Sequence, residues 1–321
     1  MHPTFLEAAA SAVQARNRIR EHIYQTPLIP SRVKGKANGA NVLFKAENFQ
    51  LTGSFKIRGA MSKMSGQPAS RQLITASSGN HGIGAASSAQ TLSKDLTVVL
   101  PQTVVPAKLE KIQSYGVNII LHGSETGLAE QYAQQLAVSH QYTYISPYND
   151  PDIIAGQGTI GLEILEQCAQ VDNVFIAMGG GGLISGIGAV MKAFSPRTKI
   201  YGVAATNSKA LAESMAAGHV VETEHRDTLA EAVAGGIDRD TITLPLAMSV
   251  VDHVVECDER EIQGALRALA FDENMLVEGS AALALAGFNK VAHGLAHETS
   301  VIVLCGANYD QSALKGVIFD C

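Results

Sequence analysis

The chain has 321 residues, 46% hydrophobic and 17% charged, with a formal net charge of −6. That length fits one large domain or two ordinary ones with a well-supplied core. Without a dense Lys/Arg block, nucleic acid and anionic membrane surfaces are poor partners, although a local site can still bind a small anion. The four cysteines, Cys168, Cys257, Cys305 and Cys321, are far apart and lack C-x-x-C spacing, so reduced thiols and a cytoplasmic location are expected. No basic-then-apolar leader opens the sequence, and its apolar runs are strand-length, which predicts no membrane span.

Thr4-Phe5-Leu6-Glu7 is a capping-box pattern, and Leu6, Ala9, Val13, Ile19 and Ile23 follow at helical spacing until Thr26-Pro27 breaks the run. Asn41–Ala46 reads as a strand, and Ser54 is placed to cap a short helix from Phe55 to Met64. A regular alternation comes next. Leu73–Ala76, Leu96–Leu100, Asn118–Leu121 and Tyr142–Ile145 are strand-like; His81–Leu92, Ala107–Tyr115 (closed by Gly116) and Gly127–Ser139 are helical. The strands are short and apolar without alternation, as in parallel sheets covered on both faces.

The alternation then repeats on a larger scale. Ile153–Cys168 and Leu183–Phe194 are predicted helices, and Val174–Ala177, Ile200–Ala204, Val254–Cys257 and Val301–Leu304 strands; Asp258, with Glu261 three residues on, caps a further helix. The predicted fold is α/β, with two open parallel-sheet domains that meet near Pro147–Pro151. Residues 63–150 form the small one, and residues 1–62 join 151–321 in the large one. The cleft between them is the default ligand site.

Four segments carry chemistry. Gly179-Gly180-Gly181-Gly182-Leu183 lies between a strand and a helix. A tetraglycine by itself reads as a flexible turn; in this setting its N–H groups and the helix start form an anion cradle. It is neither a P-loop, for no G-K-[ST] follows, nor a dinucleotide fingerprint. Lys56 differs from a solvated surface lysine in its apolar neighbours Phe55 and Ile57, and a partly desolvated amine can form a Schiff base. Ser77-Ser78-Gly79-Asn80-His81-Gly82 suits a carboxylate and equally suits an ordinary helix cap. Cys305-Gly306-Ala307-Asn308 ends a strand, where α/β sheets bind ligands; a buried small thiol is the plainer reading of Cys305. Glu278, before Gly279-Ser280-Ala281, is similarly ambiguous between a site group and a helix-starting acid.

Taken together, S-F-K-I-R-G-A at 54–60, S-S-G-N-H-G at 77–82, A-G-Q-G-T at 155–159, G-G-G-G at 179–182 and C-G-A-N at 305–308 resemble the serine/threonine dehydratase and serine racemase family over nearly the whole chain. These are pyridoxal 5′-phosphate (PLP) enzymes of the tryptophan-synthase β fold, and the resemblance implies PLP in the cleft and a homodimer. It makes Lys56 the Schiff-base lysine and Cα base, with Phe55 against the cofactor ring. Gly179, Gly180, Gly181, Gly182 and Leu183 bind the phosphate, Asn80 the ring 3′-oxygen, and Cys305 faces the pyridine nitrogen. Ser77, Gly79 and His81 hold the substrate carboxylate, and Ser78 sits on the substrate face opposite Lys56. The implied reaction dehydrates and deaminates L-threonine, L-serine or a related 3-hydroxy-amino acid to a 2-oxo acid and ammonia.

The sequence departs from the family pattern in two places. Ser78 stands where many threonine dehydratases have Ala, which keeps serine racemisation open. The acids expected for the family's divalent metal just after Val203 are replaced by Ala204 and Ala210, with Lys209 between, so no metal is expected there. A similar loss in dehydratases of hydroxyectoine breakdown keeps that substrate, and 3-hydroxyaspartate, as alternatives. A cysteine-synthase-like β-replacement fits less well, because that branch has a threonine-containing phosphate loop. A PLP-binding non-enzyme fits poorly with intact Lys56, Ser78 and Cys305.

Overall fold

The computed structural model describes residues 3–36, 39–309 and 315–317. The chain builds β1 (Leu28–Pro30), β2 (Asn41–Lys45), β3 (Leu73–Ala76), β4 (Leu96–Leu100), β5 (Asn118–Leu121), β6 (Thr143–Tyr144), β7 (Asn173–Ala177), β8 (Lys199–Ala205), β9 (His253–Cys257) and β10 (Thr299–Val303). Its helices are α1 (Phe5–Ile19), α2 (Lys56–Ser65), α3 (Asn80–Thr91), α4 (Pro106–Gln113), α5 (Thr126–Ser139), α6 (Pro151–Gln167), α7 (Gly182–Phe194), α8 (Ala210–Ala217), α9 (Thr243–Val250), α10 (Glu259–Phe271) and α11 (Gly279–Val291).

The strands form two sheets. One runs β1-β2-β10-β7-β8-β9, and the other β5-β4-β3-β6. All pairings are parallel except that of β1 with β2, an antiparallel edge the sequence reading did not foresee. Pro30 ends that edge strand, where a missing N–H costs no ladder bond. The larger sheet is filled from both faces by one continuous apolar cluster that includes Phe175, Ile187, Leu285 and Ile302. The smaller sheet has separate clusters on its two faces, one around Leu73, Val98 and Ile112, the other around Ile74, Val99 and Ala133.

Local chemistry explains the element ends. Thr4 with Glu7 and Asp258 with Glu261 both complete capping boxes. Helix α1 stops at Ile19, one turn short of the expected Ile23. Ser54 does not cap α2: Phe55 precedes that helix without a side-chain cap. Instead Ser54 bridges Gly306, flanked by Phe55 N–H to Cys305 O (3.1 Å) and Ala307 N–H to Gly53 O (2.8 Å). This pairing ties the start of α2 to the end of β10.

Helix α6 packs closely against α2. At Gly156 an added Cβ would lie 2.4 Å from the Arg58 carbonyl oxygen, so only glycine lets α6 approach α2 this far. Thr159, one turn on, accepts from Arg58 Nη1 at 3.1 Å. Arg58 is fully buried and grips two carboxylates. Its Nε and Nη2 meet Glu47 at 2.7 and 2.9 Å, and its Nη1 and Nη2 meet Glu163 at 2.6 and 2.9 Å. Lys45 Nζ completes the group, 2.6 Å from Glu163. Two cations and two anions balance, as buried charges require. This quartet anchors α2 two residues from Lys56.

Candidate active site

The site loops all leave the carboxyl ends of parallel strands, where the sheets open toward ligand. The end of β7 gives Gly179–Gly182, the end of β10 gives Cys305–Asn308, and the end of β3 gives Ser77–Gly79. Helix α2 brings Lys56 to the same place. Two adjoining cavities result. The inner one is lined by Phe55, Lys56, Asn80, Tyr148, Gly179–Leu183 and Cys305. The outer one, about 580 Å³, is lined by Lys56, Ser77, Ser78, Gly79, Asn80 and His81, among others. Lys56 and Asn80 belong to both walls. Every residue singled out from the sequence for cofactor or substrate therefore borders one of two connected spaces.

Lys56 is half-buried. Its Nζ donates to the Pro147 carbonyl at 2.8 Å and stands 5.3 Å from the centre of the Phe55 ring. Burial lowers its pKa to about 8, against the opposing pull of Cys305 and Glu278. Burial also raises the Cys305 thiol well above its usual range, with Glu278 adding to the effect. The thiol is neutral at physiological pH. About a tenth of the Lys56 amine is uncharged and nucleophilic at pH 7.

The glycine cradle is held from three sides. Gly181 has φ +90°, a conformation that favours glycine, and leads into the first turn of α7. A Cβ on Gly180 would lie 2.5 Å from the Tyr148 ring. Thr243 Oγ1 donates to the Gly180 carbonyl at 2.7 Å, which satisfies that acceptor within the protein. The cradle, the helix start behind it and the low-pKa amine nearby fit an aldehyde cofactor with a phosphate.

Asn80 does not stand free. Its Nδ2 donates to Glu278 at 2.8 and 3.0 Å, and its Oδ1 accepts from Asn308 Nδ2 at 2.7 Å. Glu278 also accepts from the Asn308 N–H at 3.0 Å. Burial raises the Glu278 pKa to about 7, partly offset by the bonds from Asn80 and Asn308 and by the Lys56 charge. This carboxyl can hold or release a proton at neutral pH beside the amine. The sequence reading noted Glu278 without including it in the site, since an acid before a small-residue helix is common.

His81 lines the outer cavity, but its Nε2 is engaged inward, 3.0 Å from both Thr75 Oγ1 and the Ile145 carbonyl. Burial and the Lys56 charge lower its pKa to about 3, so the ring is neutral, with its proton assigned to Nε2 facing the carbonyl. The Ser77 hydroxyl accepts from the Gly79 N–H at 3.2 Å. The Ser78 hydroxyl has no protein partner among the described residues. Helix α3 starts at Asn80, so its first-turn N–H groups lack intrahelical acceptors.

Ala204, in β8, and Ala210, the first residue of α8, are buried on either side of the turn between them. Lys209 Nζ pairs with Glu256 at 2.7 Å and with Glu213 at 3.7 Å. Cys168, Cys257 and Cys305 are unpaired thiols; Cys321 lies outside the described residues. No helix among the described residues is long and apolar enough to cross a membrane.

A half-buried low-pKa lysine between a glycine cradle and a hydroxyl-amide loop, where the two sheets meet, defines an enzyme that works on amino groups through a lysine-linked cofactor. The chain belongs to the pyridoxal-phosphate dependent enzyme family, whose model matches residues 19–306. It is 36% identical to the L-threo-3-hydroxyaspartate ammonia-lyase of Saccharomyces cerevisiae, covering 95% of this chain and 94% of that one. It is also 36% identical to an L-threonine ammonia-lyase of Geobacter sulfurreducens, covering 95% of this chain and 76% of that one. Among solved structures, the processed threonine deaminase isoform 2 of Solanum lycopersicum superposes with a TM-score of 0.92 at 30% identity, covering 98% of this chain and 92% of that one. PLP is therefore the cofactor that the cradle and Lys56 fit.

Proposed function

We propose that this protein is a PLP-dependent ammonia-lyase that dehydrates and deaminates a 3-hydroxy-amino acid, such as L-threonine or L-serine, to a 2-oxo acid. The names of its relatives support the reaction. The observation that carries it to this chain is Lys56, whose amine borders both the phosphate cradle and the outer cavity.

PLP, when bound, supplies the electron sink that makes the substrate Cα–H acidic. Lys56 Nζ takes the Cα proton as general base, and its pKa of about 8 suits that task near neutrality. With PLP bound, Gly179–Leu183 would hold its phosphate, Phe55 would pack against its ring, and Asn80 would bond the 3′-oxygen in place of one of its bonds to Glu278. Cys305, a neutral thiol lining the inner cavity, would face the pyridine nitrogen without protonating it, an arrangement that would favour elimination of the hydroxyl. Ser77, Gly79 and the backbone of His81 orient the substrate carboxylate; the His81 ring instead fixes the loop to the end of β3. No divalent metal enters this reading, because Lys209 already brings a cation to the β8–α8 turn.

Strand membership supports the domain division of residues 1–62 with 151–321 against 63–150, since the large sheet draws on residues 28–45 and 173–303 and the small sheet on 73–144. A homodimer in the cytoplasm completes the reading, checked by light scattering and fractionation.

The test is turnover of a panel of 3-hydroxy-amino acids, followed as 2-oxo acid and ammonia. Formation from at least one L-substrate is expected; none from any would end the lyase reading. Serine racemase is the second reading, favoured by the Ser78 hydroxyl in the outer cavity, which has no partner among the described residues. Ser78→Ala should keep dehydration at a reduced rate while any interconversion of L- and D-serine falls much further, measured by chiral chromatography beside the oxo-acid assay. Wild type forming D-serine faster than pyruvate would replace the lyase reading.

A further inference from the structure

The outer cavity has two unlike walls. Helix α4 presents Lys108 and Lys111 to it, three residues apart and so on one helical face. Thr126, the first residue of α5, lies on the same side. Lys111 Nζ donates to Asn308 Oδ1 at 2.9 Å, and Asn308 donates in turn to Asn80. This lysine is thereby linked to the centre of the site.

Neither Lys108 nor Lys111 pairs with a carboxylate of any described residue. Lys45, Lys63, Lys192, Lys209 and Lys290 do, at 2.6 to 2.9 Å; Lys34, Lys94 and Lys199 do not, but these lie away from the cavity. Two uncompensated ammonium groups on one wall of a partly enclosed cavity attract anions strongly. The proposed lyase reaction gives the α-carboxylate to the Ser77–His81 loop, so a neutral side chain leaves both lysines without a substrate partner. Glu231 borders the same cavity and would favour a side-chain amine; it is a single exposed acid against two bases. The charge on Glu278 is held by Asn80 and Asn308.

We propose that Lys108 and Lys111 receive a second carboxylate, on the substrate side chain, so that the preferred substrate is a dicarboxylic 3-hydroxy-amino acid. The proposal rests on the lyase reading for its reaction, but its anion site can be tested separately. Holoenzyme is titrated with succinate and with butyrate, which have equal length and differ by one carboxylate, using calorimetry. Succinate should bind about ten-fold or more tighter, as expected for a charge-assisted contact. The preference should vanish in Lys108→Ala/Lys111→Ala and survive in Lys108→Arg/Lys111→Arg. Both positions are partly or fully exposed, so the alanine variant should fold. In turnover, kcat/KM for threo-3-hydroxyaspartate should exceed that for L-threonine, and the ratio should drop about ten- to hundred-fold in the alanine variant. Succinate binding no tighter than butyrate, a ratio that the variant leaves unmoved, or preference for an amine-bearing substrate would overturn the proposal. Succinate preference without turnover of any hydroxy-amino acid would instead keep the anion site and remove the lyase reading.

Discussion

The two halves of the site are built to different standards. On the cradle side, α7 buries every residue from Gly182 to Met191, with Leu183, Ile184, Ile187 and Met191 in the large cluster, and α2 is pinned by the Arg58 quartet. On the opposite side, α4 buries Ile112 alone and α5 buries Ala129 and Ala133. Dense burial fixes the cofactor's anchor points. Sparse burial leaves the substrate wall free to shift and, over evolution, free to change its charge without loss of the fold. A common chemistry with variable substrates is what that division permits.

The comparison can be broken first at its chemical centre. Lys56→Ala should abolish turnover, by about a thousand-fold or more, and prevent borohydride from fixing the cofactor to the protein, read by peptide mass. Wild-type-like turnover would remove Lys56 from the chemistry. Next in size is the anchor beneath it. Arg58→Met leaves Glu47 in the core without a cation and Glu163 with Lys45 alone, and should cost about 3–5 kcal/mol in urea unfolding. A cost under 1 kcal/mol would mean that the quartet does not hold α2.

Hydrogen exchange sharpens the contrast directly. Amides in the middle of α7 should exchange on the order of a hundred-fold more slowly than those of α4 and α5, because fewer buried contacts must open in the latter. Equal protection would show the halves to be one cooperative unit. The smallest effect concerns His81. Its pKa is about 3 folded and near 6.5 unfolded, so the unfolded chain binds more protons between those values and stability falls as pH drops below 6.5. At pH 5 this amounts to about 2 kcal/mol. Glu278 acts oppositely, because its raised pKa of about 7 makes the folded state bind protons first. The His81 contribution is therefore the difference in acid slope between wild type and His81→Gln, whose stability should fall less, or rise more, as pH drops below 6.5.

Much of the fold was legible because each half of the pattern is local. The strands Leu73–Ala76, Leu96–Leu100 and Asn118–Leu121 lie where their apolar runs and flanking turns put them. Thr4 and Asp258 announce their helices through side chains three residues away. Ser54 misled because its backbone pairs with Gly306, some 250 residues on, and that bond overrides a local cap. Helices α8, α9 and α11 were unassigned: they are buried and apolar with little periodicity, so no face stood out.

The site divides in the same way. Its backbone elements, the Gly179–Gly182 cradle and the Ser77–Gly82 loop, show in the sequence because glycine and helix-start chemistry are encoded by adjacent residues. Lys56 shows through its apolar neighbours. Tyr148 over the cradle, Thr243 bonded to Gly180, and the tie among Asn80, Glu278 and Asn308 come from segments far apart in the chain. No local signal marks them, since each residue is ordinary where it stands. The sequence by itself determined which groups could carry the chemistry; the tertiary structure decided which charges meet, which are buried, and therefore which protons can move. Burial and long-range contact set a pKa, and neither exists until the two sheets have closed around Lys56.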